Sequence, residues 1–100
     1  MQDGMRIIGT GSALPDRKVM NADLAAVVET SDEWIRERTG IGQRHISTGE
    51  TVVSLAVKAA LAALEQAQKT AAEVDLILLA TCSPEALLPC SACQVQARLG

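Results

Sequence analysis

An α/β fold is predicted by three features of this 100-residue chain. The segment 74–80 carries the unbroken apolar run Leu76-Ile77-Leu78-Leu79-Ala80, bounded by Asp75 and Thr81. Such a run suits a strand covered on both faces, as in a parallel sheet. The segment 51–69 repeats Val52, Leu55, Ala56, Ala59, Ala63 and Ala67 at three- and four-residue steps, which predicts a long helix with one apolar stripe. A second apolar run at 5–8 ends in Gly9-Thr10-Gly11-Ser12, which predicts a buried strand with a tight exit. Strand, helix and strand in this order make a crossover unit, so the two strands are expected to be parallel.

The first loop contains a GxG pair, but position 14 is Leu and no Walker lysine follows. The pair therefore reads as a turn rather than a nucleotide loop. Pro15-Asp16-Arg17-Lys18 reads as a surface turn. Asn21 is expected to cap a helix over 22–28, where Leu24, Val27 and Val28 have helical apolar spacing. Gly40-Ile41-Gly42 predicts a bend, and 43–47 a short extended piece. Small residues on the 51–69 stripe favour close packing on a helix or sheet. A polar connection at 70–73 leads to the second strand. The 83–89 segment, with two prolines, is a loop, and Pro89 suits the first position of a last helix. That helix carries Cys93, Val95, Gln96 and Leu99 and ends at Gly100.

Composition narrows the function classes. The formal net charge is −3, and no basic patch or run of like charge points to nucleic acid. Hydrophobic residues make up 48% of the chain, but alanine supplies much of that and aromatics only 1%, so a free-standing core would be thin. No basic start with an apolar run marks a signal peptide. No apolar stretch approaches the roughly 18 residues that span a bilayer. With no secretory signal, three cysteines read as reduced thiols in a cytoplasmic protein rather than a disulfide framework.

The most informative stretch is Thr30-Ser31-Asp32-Glu33-Trp34-Ile35-Arg36-Glu37-Arg38-Thr39-Gly40-Ile41, which holds the only aromatic residue. It predicts a short, capped, charged helix. Thr30 or Ser31 can accept from its free amides, and Thr30 with Glu33 has capping-box spacing. Asp32 and Glu33 at the start and Arg36 and Arg38 near the end suit the helix dipole. Gly40 can take the left-handed conformation that ends a helix. Trp34 and Arg38, four apart, share a face. An indole beside a guanidinium is a seat for a planar base carrying phosphates. The competing reading is a half-buried packing tryptophan with solvated arginines.

His45, the only histidine, stands beside Arg44 with no adjacent nucleophile and reads as a surface or loop residue rather than a base. Cys90-Ser91-Ala92-Cys93 is a CxxC at an expected helix start. It admits a redox pair, half a zinc site, or small buried hydrophobes. Cys82 and His45 could complete a metal site only with a spacing that fits no finger pattern, so no metal ligand is assigned.

Several motifs in register carry a resemblance to a known family. They are TSDEWIRERTGI at 30–41, Ile7-Ile8-Gly9-Thr10-Gly11-Ser12-Ala13-Leu14-Pro15, Asn21-Ala22-Asp23-Leu24 and Gln43-Arg44-His45-Ile46. Asp75-Leu76-Ile77-Leu78-Leu79-Ala80-Thr81 and Pro89-Cys90-Ser91-Ala92-Cys93-Gln94-Val95-Gln96-Ala97-Arg98-Leu99-Gly100 follow in order. From Arg6 onward the chain resembles β-ketoacyl-acyl-carrier-protein synthase III, a thiolase-like enzyme that starts bacterial fatty-acid synthesis. The resemblance implies a layered α-β-α-β-α fold. Residues 1–100 would be the amino-terminal part of the synthase domain, within the first half of a duplicated fold whose chain is several times longer.

The resemblance also implies roles. Trp34 matches the family tryptophan that stacks on the adenine of coenzyme A. Arg38 matches an arginine near the nucleotide phosphates, and Thr30 lines the same mouth. Leu88 matches a position, often Phe, that reaches into the partner subunit's acyl pocket, so a homodimer with room for primers longer than acetyl is expected. Cys93 matches a structural cysteine, while Cys82 and Cys90 stand where Thr or Ser is common. The family's catalytic Cys, His and Asn match nothing here, so no catalytic residue is assigned and these 100 residues alone are expected to be inactive. The implied reaction condenses acyl-CoA with malonyl-acyl-carrier-protein and needs no tightly bound cofactor. Two alternatives stand beside it: a relative condensing other acyl groups in specialised metabolism, and a non-catalytic binding or dimerisation module.

Overall fold

The structure is a computed structural model that describes residues 4–100. Its elements are β1 (Arg17–Met20), α1 (Asn21–Ala25), α2 (Asp32–Thr39), β2 (Gln43–Ile46), α3 (Val52–Ala67) and α4 (Ser91–Leu99), with a 3-10 turn at Ala71–Glu73. They fall into two compact units: 14–49, and 4–13 with 50–100.

In the first unit, β1 and β2 pair antiparallel, with Arg17 opposite Ile46 and Met20 opposite Gln43. Residues expected as a surface turn thus enter a strand, because Gln43–Ile46 offers them a ladder. A two-stranded ribbon is marginal by itself in water. Here α1 and α2 lie between its strands in sequence, and a buried asparagine ties all four together. Asn21 is only 1% exposed. Its Nδ2 donates to Asp32 Oδ1 at 2.8 Å and to the Ile41 carbonyl at 2.7 Å. Its Oδ1 accepts from Arg44 Nη2 at 2.5 Å, and its backbone N–H donates to the Gly42 carbonyl at 3.2 Å. Asn21 is therefore not the expected cap. It is the first residue of α1, and the Met20 N–H is bound by Asp23 Oδ2 at 2.8 Å. Nor does α1 reach position 28. It ends at Ala25, where both Val27 and Val28 N–H groups turn back to the Leu24 carbonyl. Two β-branched valines favour that early end, and both are exposed.

In the second unit, α3 forms as the periodicity predicts. The Ser54 N–H donates to Thr51 Oγ1 at 3.0 Å and the Thr51 N–H to Ser54 Oγ at 2.9 Å, a reciprocal cap. Gln68 closes the helix in the left-handed region at φ 56°. The apolar stripe is half-buried, with Val53 fully buried, and α3 packs against α4, whose Val95 is buried. Gly9 and Gly11 explain how 5–13 lies along α3. A Cβ on Gly11 would stand 2.7 Å from the Ala63 nitrogen and 2.9 Å from the Ala62 Cβ, and closer still to the Ala59 carbonyl oxygen. A Cβ on Gly9 would meet Ala67 Cβ at 3.0 Å and the Ala63 carbonyl more closely. The Thr10 N–H donates to Gln66 Oε1 at 2.6 Å between them. The GxG pair is thus a close-approach device, not a phosphate cradle.

The strand expectations need correction. Neither 5–8 nor 74–80 enters a ladder among the described residues, where the one sheet is antiparallel. A strand is defined by backbone pairing, and neither run is paired in a ladder here. The 74–80 run is also not covered on both faces. Ile77 and Leu79 are half-buried, whereas Leu76 is 73% and Leu78 87% exposed. This two-residue alternation is that of a strand with one open face. Pro89 precedes the α4 N-cap, Cys90, instead of opening the helix.

Gly11→Ala is expected to lower unfolding stability by about 1–3 kcal/mol, since the added methyl meets helix backbone rather than a flexible side chain. Gly49→Ala, with nothing within 4 Å of its Cβ, is the control. Denaturant midpoints check the pair, and equal shifts would refute the close-approach account. Asn21→Ala is expected to cost about 2–3 kcal/mol by the same measurement, because it removes three part-buried side-chain hydrogen bonds at once.

Candidate functional site

Helix α2 begins where the chain leaves an extended conformation at Ser31, whose φ is −144° and ψ 157°. Ser31 Oγ accepts from the Trp34 N–H at 3.1 Å. The cap is therefore Ser31 alone, and the expected pairing of Thr30 with Glu33 does not form. At the far end Gly40 takes φ 73°, and its N–H donates to the Arg36 carbonyl at 2.8 Å. A left-handed terminus of this kind strains any residue with a Cβ. Ile35 is the buried residue of the helix, which turns Trp34 and Arg38 outward.

Trp34 is 53% exposed, and the Arg38 guanidinium carbon lies 5.0 Å from its ring centroid. This is a cation–π contact worth about 0.5–1 kcal/mol at an exposed site. So small a term lets Arg38 leave the ring for a stronger anionic partner. Arg36 is committed elsewhere. Its Nε donates to Asp32 Oδ1 at 2.8 Å and Oδ2 at 3.0 Å, and a Cβ on Gly42 would meet its guanidinium at 2.6 Å. The Asn21 amide, then Arg36, holds the Asp32 carboxyl below the usual carboxylate range. Its contribution is accordingly present above the unfolded carboxylate pKa and is lost as pH falls through the lowered value. Two arginines two residues apart thus differ: Arg36 braces the helix, and Arg38 rests on the Trp34 ring.

Glu29, Thr30, Ser31 and Trp34 line a cavity of about 220 Å³. That is below the roughly 300–1,000 Å³ of pockets that engulf a drug-sized ligand, so it suits one ring system at a mouth. Thr30 Oγ1 is buried there with no hydrogen-bond partner. Most buried hydroxyls are satisfied, and this one has no partner among the described residues. Thr30 and Trp34 thereby meet at the start of α2, and Arg38, in its last turn, reaches back over the Trp34 ring. Glu29, which sequence reasoning did not single out, joins them; its place before a cap is a signal too generic to have flagged it.

Leu88 belongs to the other unit. It lies 87% exposed in the 83–89 loop, before a cis Leu88–Pro89 peptide bond. Glu85 of the same loop accepts from the Val53 N–H at 3.1 Å, which pins the loop to the start of α3. His45 is half-buried on β2 rather than in a loop, and its Nδ1 bonds the Pro15 carbonyl at 2.5 Å. That contact places the proton on Nδ1 and gives the ring a structural task. All three cysteines are exposed free thiols, which removes the reading of them as buried hydrophobes. Among the described residues no group of three or more His, Cys, Asp or Glu could hold a metal, and no helix is long and apolar enough to cross a membrane.

No protein-family model matches the chain. Relatives do. The chain is 53% identical over 96 residues to β-ketoacyl-acyl-carrier-protein synthase III of Xylella fastidiosa, across 95% of this chain and 30% of that protein. Its structure superposes on 3-oxoacyl-acyl-carrier-protein synthase III from Aquifex aeolicus with a TM-score of 0.91 and 49% identity, across 96% of this chain and 31% of that one. The priming β-ketosynthase of a polyketide pathway follows at a TM-score of 0.90 and 34% identity, across 95% of this chain and 29% of that one. The chain spans about a third of the length of the proteins it matches, and the architecture it shares with them is part of a thiolase-like α/β fold. Over nearly its whole length this chain is similar to the amino-terminal portion of β-ketoacyl-acyl-carrier-protein synthase III.

Proposed function

We propose that these residues serve a β-ketoacyl-acyl-carrier-protein synthase III as its coenzyme A-binding mouth. The observation that carries this reading is the α2 seat, set in a chain 53% identical to such a synthase. The exposed Trp34 face would stack on the adenine. Arg38 would exchange its weak ring contact for a phosphate, a stronger charge-assisted pairing. Thr30 would line the mouth beside the ring. The substrates are acyl-CoA and malonyl-acyl-carrier-protein, with no resident cofactor. The acyl group passes to a cysteine thiolate, and the malonyl unit loses carbon dioxide as its carbanion attacks that thioester. Histidine and asparagine stabilise the developing enolate oxygen. None of these three groups is assigned within residues 1–100, so this stretch expressed alone is inactive. The enzyme works in the cytoplasm as a homodimer, with Leu88 of each subunit entering the partner's acyl pocket.

The reading as a condensing enzyme of specialised metabolism rests on the polyketide priming enzyme, at 34% identity. The synthase III relatives stand higher, at 53%, and the fatty-acid reading is preferred. A non-catalytic module is disfavoured because Leu76 and Leu78, exposed side chains of the apolar run 74–80, invite aggregation unless more chain covers them.

Trp34→Ala in the synthase is expected to raise KM for acyl-CoA about 5- to 100-fold with little change in kcat, since base–aromatic stacking is worth about 1–3 kcal/mol. Steady-state kinetics check this, and an unchanged KM would remove the seat. Leu88→Phe is expected to lower the preference for longer primers over acetyl-CoA about tenfold or more, given about 1–3 kcal/mol per methylene in a fitted pocket. Competition between acyl-CoA primers reads it. Wild-type enzyme that prefers acetyl-CoA to every longer primer would contradict the role of Leu88.

A further inference from the structure

The proposed condensation leaves one cluster of nucleophilic side chains unused. Cys90 is the N-cap of α4, and Cys93 lies in its first turn. Their sulfurs stand 3.0 Å apart, and both residues are exposed. A disulfide requires about 2.0 Å between sulfurs, so closure needs a movement of only about 1 Å. The backbone around them is held by hydrogen bonds. The Gln94 N–H donates to the Cys90 carbonyl at 3.2 Å, and Gln94 Nε2 donates to the Pro89 carbonyl at 3.0 Å. These bonds hold the residues on either side of the pair.

We propose that Cys90 and Cys93 form a reversible dithiol–disulfide site that exchanges with low-molecular-weight disulfides of the glutathione type. The two thiols have unequal chemistry. The Cys93 thiol, then the Cys93 and Ala92 backbone N–H groups, stabilise the Cys90 thiolate and hold its pKa below that of an ordinary thiol. Cys93 is pushed up, first because its S–H is engaged with Cys90 and then by the negative charge there. Cys90 is therefore the attacking sulfur and Cys93 the resolving one.

The exchange balances without any further reagent. The Cys90 thiolate attacks one sulfur of glutathione disulfide, a Cys90–glutathione bond forms, and one glutathione thiolate leaves. Cys93 gives its proton to solvent and attacks Cys90 Sγ, expelling the second glutathione thiolate, and both leaving thiolates then take up protons. The cysteine pair is oxidised by two electrons and glutathione disulfide is reduced to two thiols. Excess glutathione reverses both steps.

The test incubates the native, full-length protein with glutathione disulfide and reads intact and peptide masses over time. Wild type and Cys82→Ser are expected to lose two hydrogens, with the bond mapped to Cys90 and Cys93 and reversed by reduced glutathione. Cys93→Ser is expected to stop at a stable glutathione adduct on Cys90. Cys90→Ser is expected to form an adduct on Cys93 about tenfold more slowly. Each variant's circular dichroism shows whether it is folded. Three results would overturn the proposal: wild type that accumulates adduct without an internal bond, a bond that uses Cys82, or thiols that react only after denaturation.

Discussion

The carboxamide of Asn21 is the constraint on which residues 14–49 depend. Both of its N–H bonds and its oxygen are spent on groups that come from different stretches of chain: Asp32 at the start of α2, Ile41 after it, and Arg44 on β2. Arg44 adds a bond from Nη1 to the Val19 carbonyl of β1 at 3.2 Å. A buried polar group is costly when unpaired and specific when every bond is made. The arrangement is therefore self-selecting: a displaced α2 leaves the amide unsatisfied. Because Asp32 is fixed from one side by Asn21 and from the other by Arg36, the first turn of α2 is held in place. Trp34 leaves that turn toward solvent.

Residues 4–13 and 50–100 are governed by backbone approach instead. Two glycines let one segment lie on α3 where any side chain would strike the Ala59 and Ala63 carbonyls. Alanines on α3 provide the matching shallow surface. The stripe of small residues and the GxG pair are thus two halves of one packing solution. Neither half has meaning for phosphate binding.

What could be read from the sequence follows the range of the interactions. The start and end of α2 were legible, because Ser31 and Gly40 act on amides and carbonyls within a turn of themselves, and α3 was legible from its stripe at helical spacing. The residues of the α2 seat were legible as a pattern, since Trp34 and Arg38 need only helical spacing to meet. Long-range bonds were not. Asn21 looks like a cap because asparagine commonly is one, and nothing local announces partners at 32, 41 and 44. The strand at Arg17–Met20 was hidden for the same reason: its ladder lies at Gln43–Ile46. The runs at 5–8 and 74–80 have strand composition, but pairing is a property of two segments, and neither run enters a ladder among the described residues. The unpartnered Thr30 hydroxyl follows from Ser31 taking the cap, a choice between adjacent hydroxyls that the sequence leaves open.

The functional account turns on one physical claim, that the outward face of α2 is built to receive an adenine nucleotide. The indole supplies a flat apolar surface, Arg38 a loosely held charge, and Thr30 part of the cavity wall. The most direct measurement is a crystal structure of the full-length protein with coenzyme A bound. The account predicts adenine stacked on Trp34, with the Arg38 guanidinium moved from the ring onto a phosphate. Coenzyme A bound elsewhere, with the Trp34 face still open and Arg38 still over the ring, would contradict it.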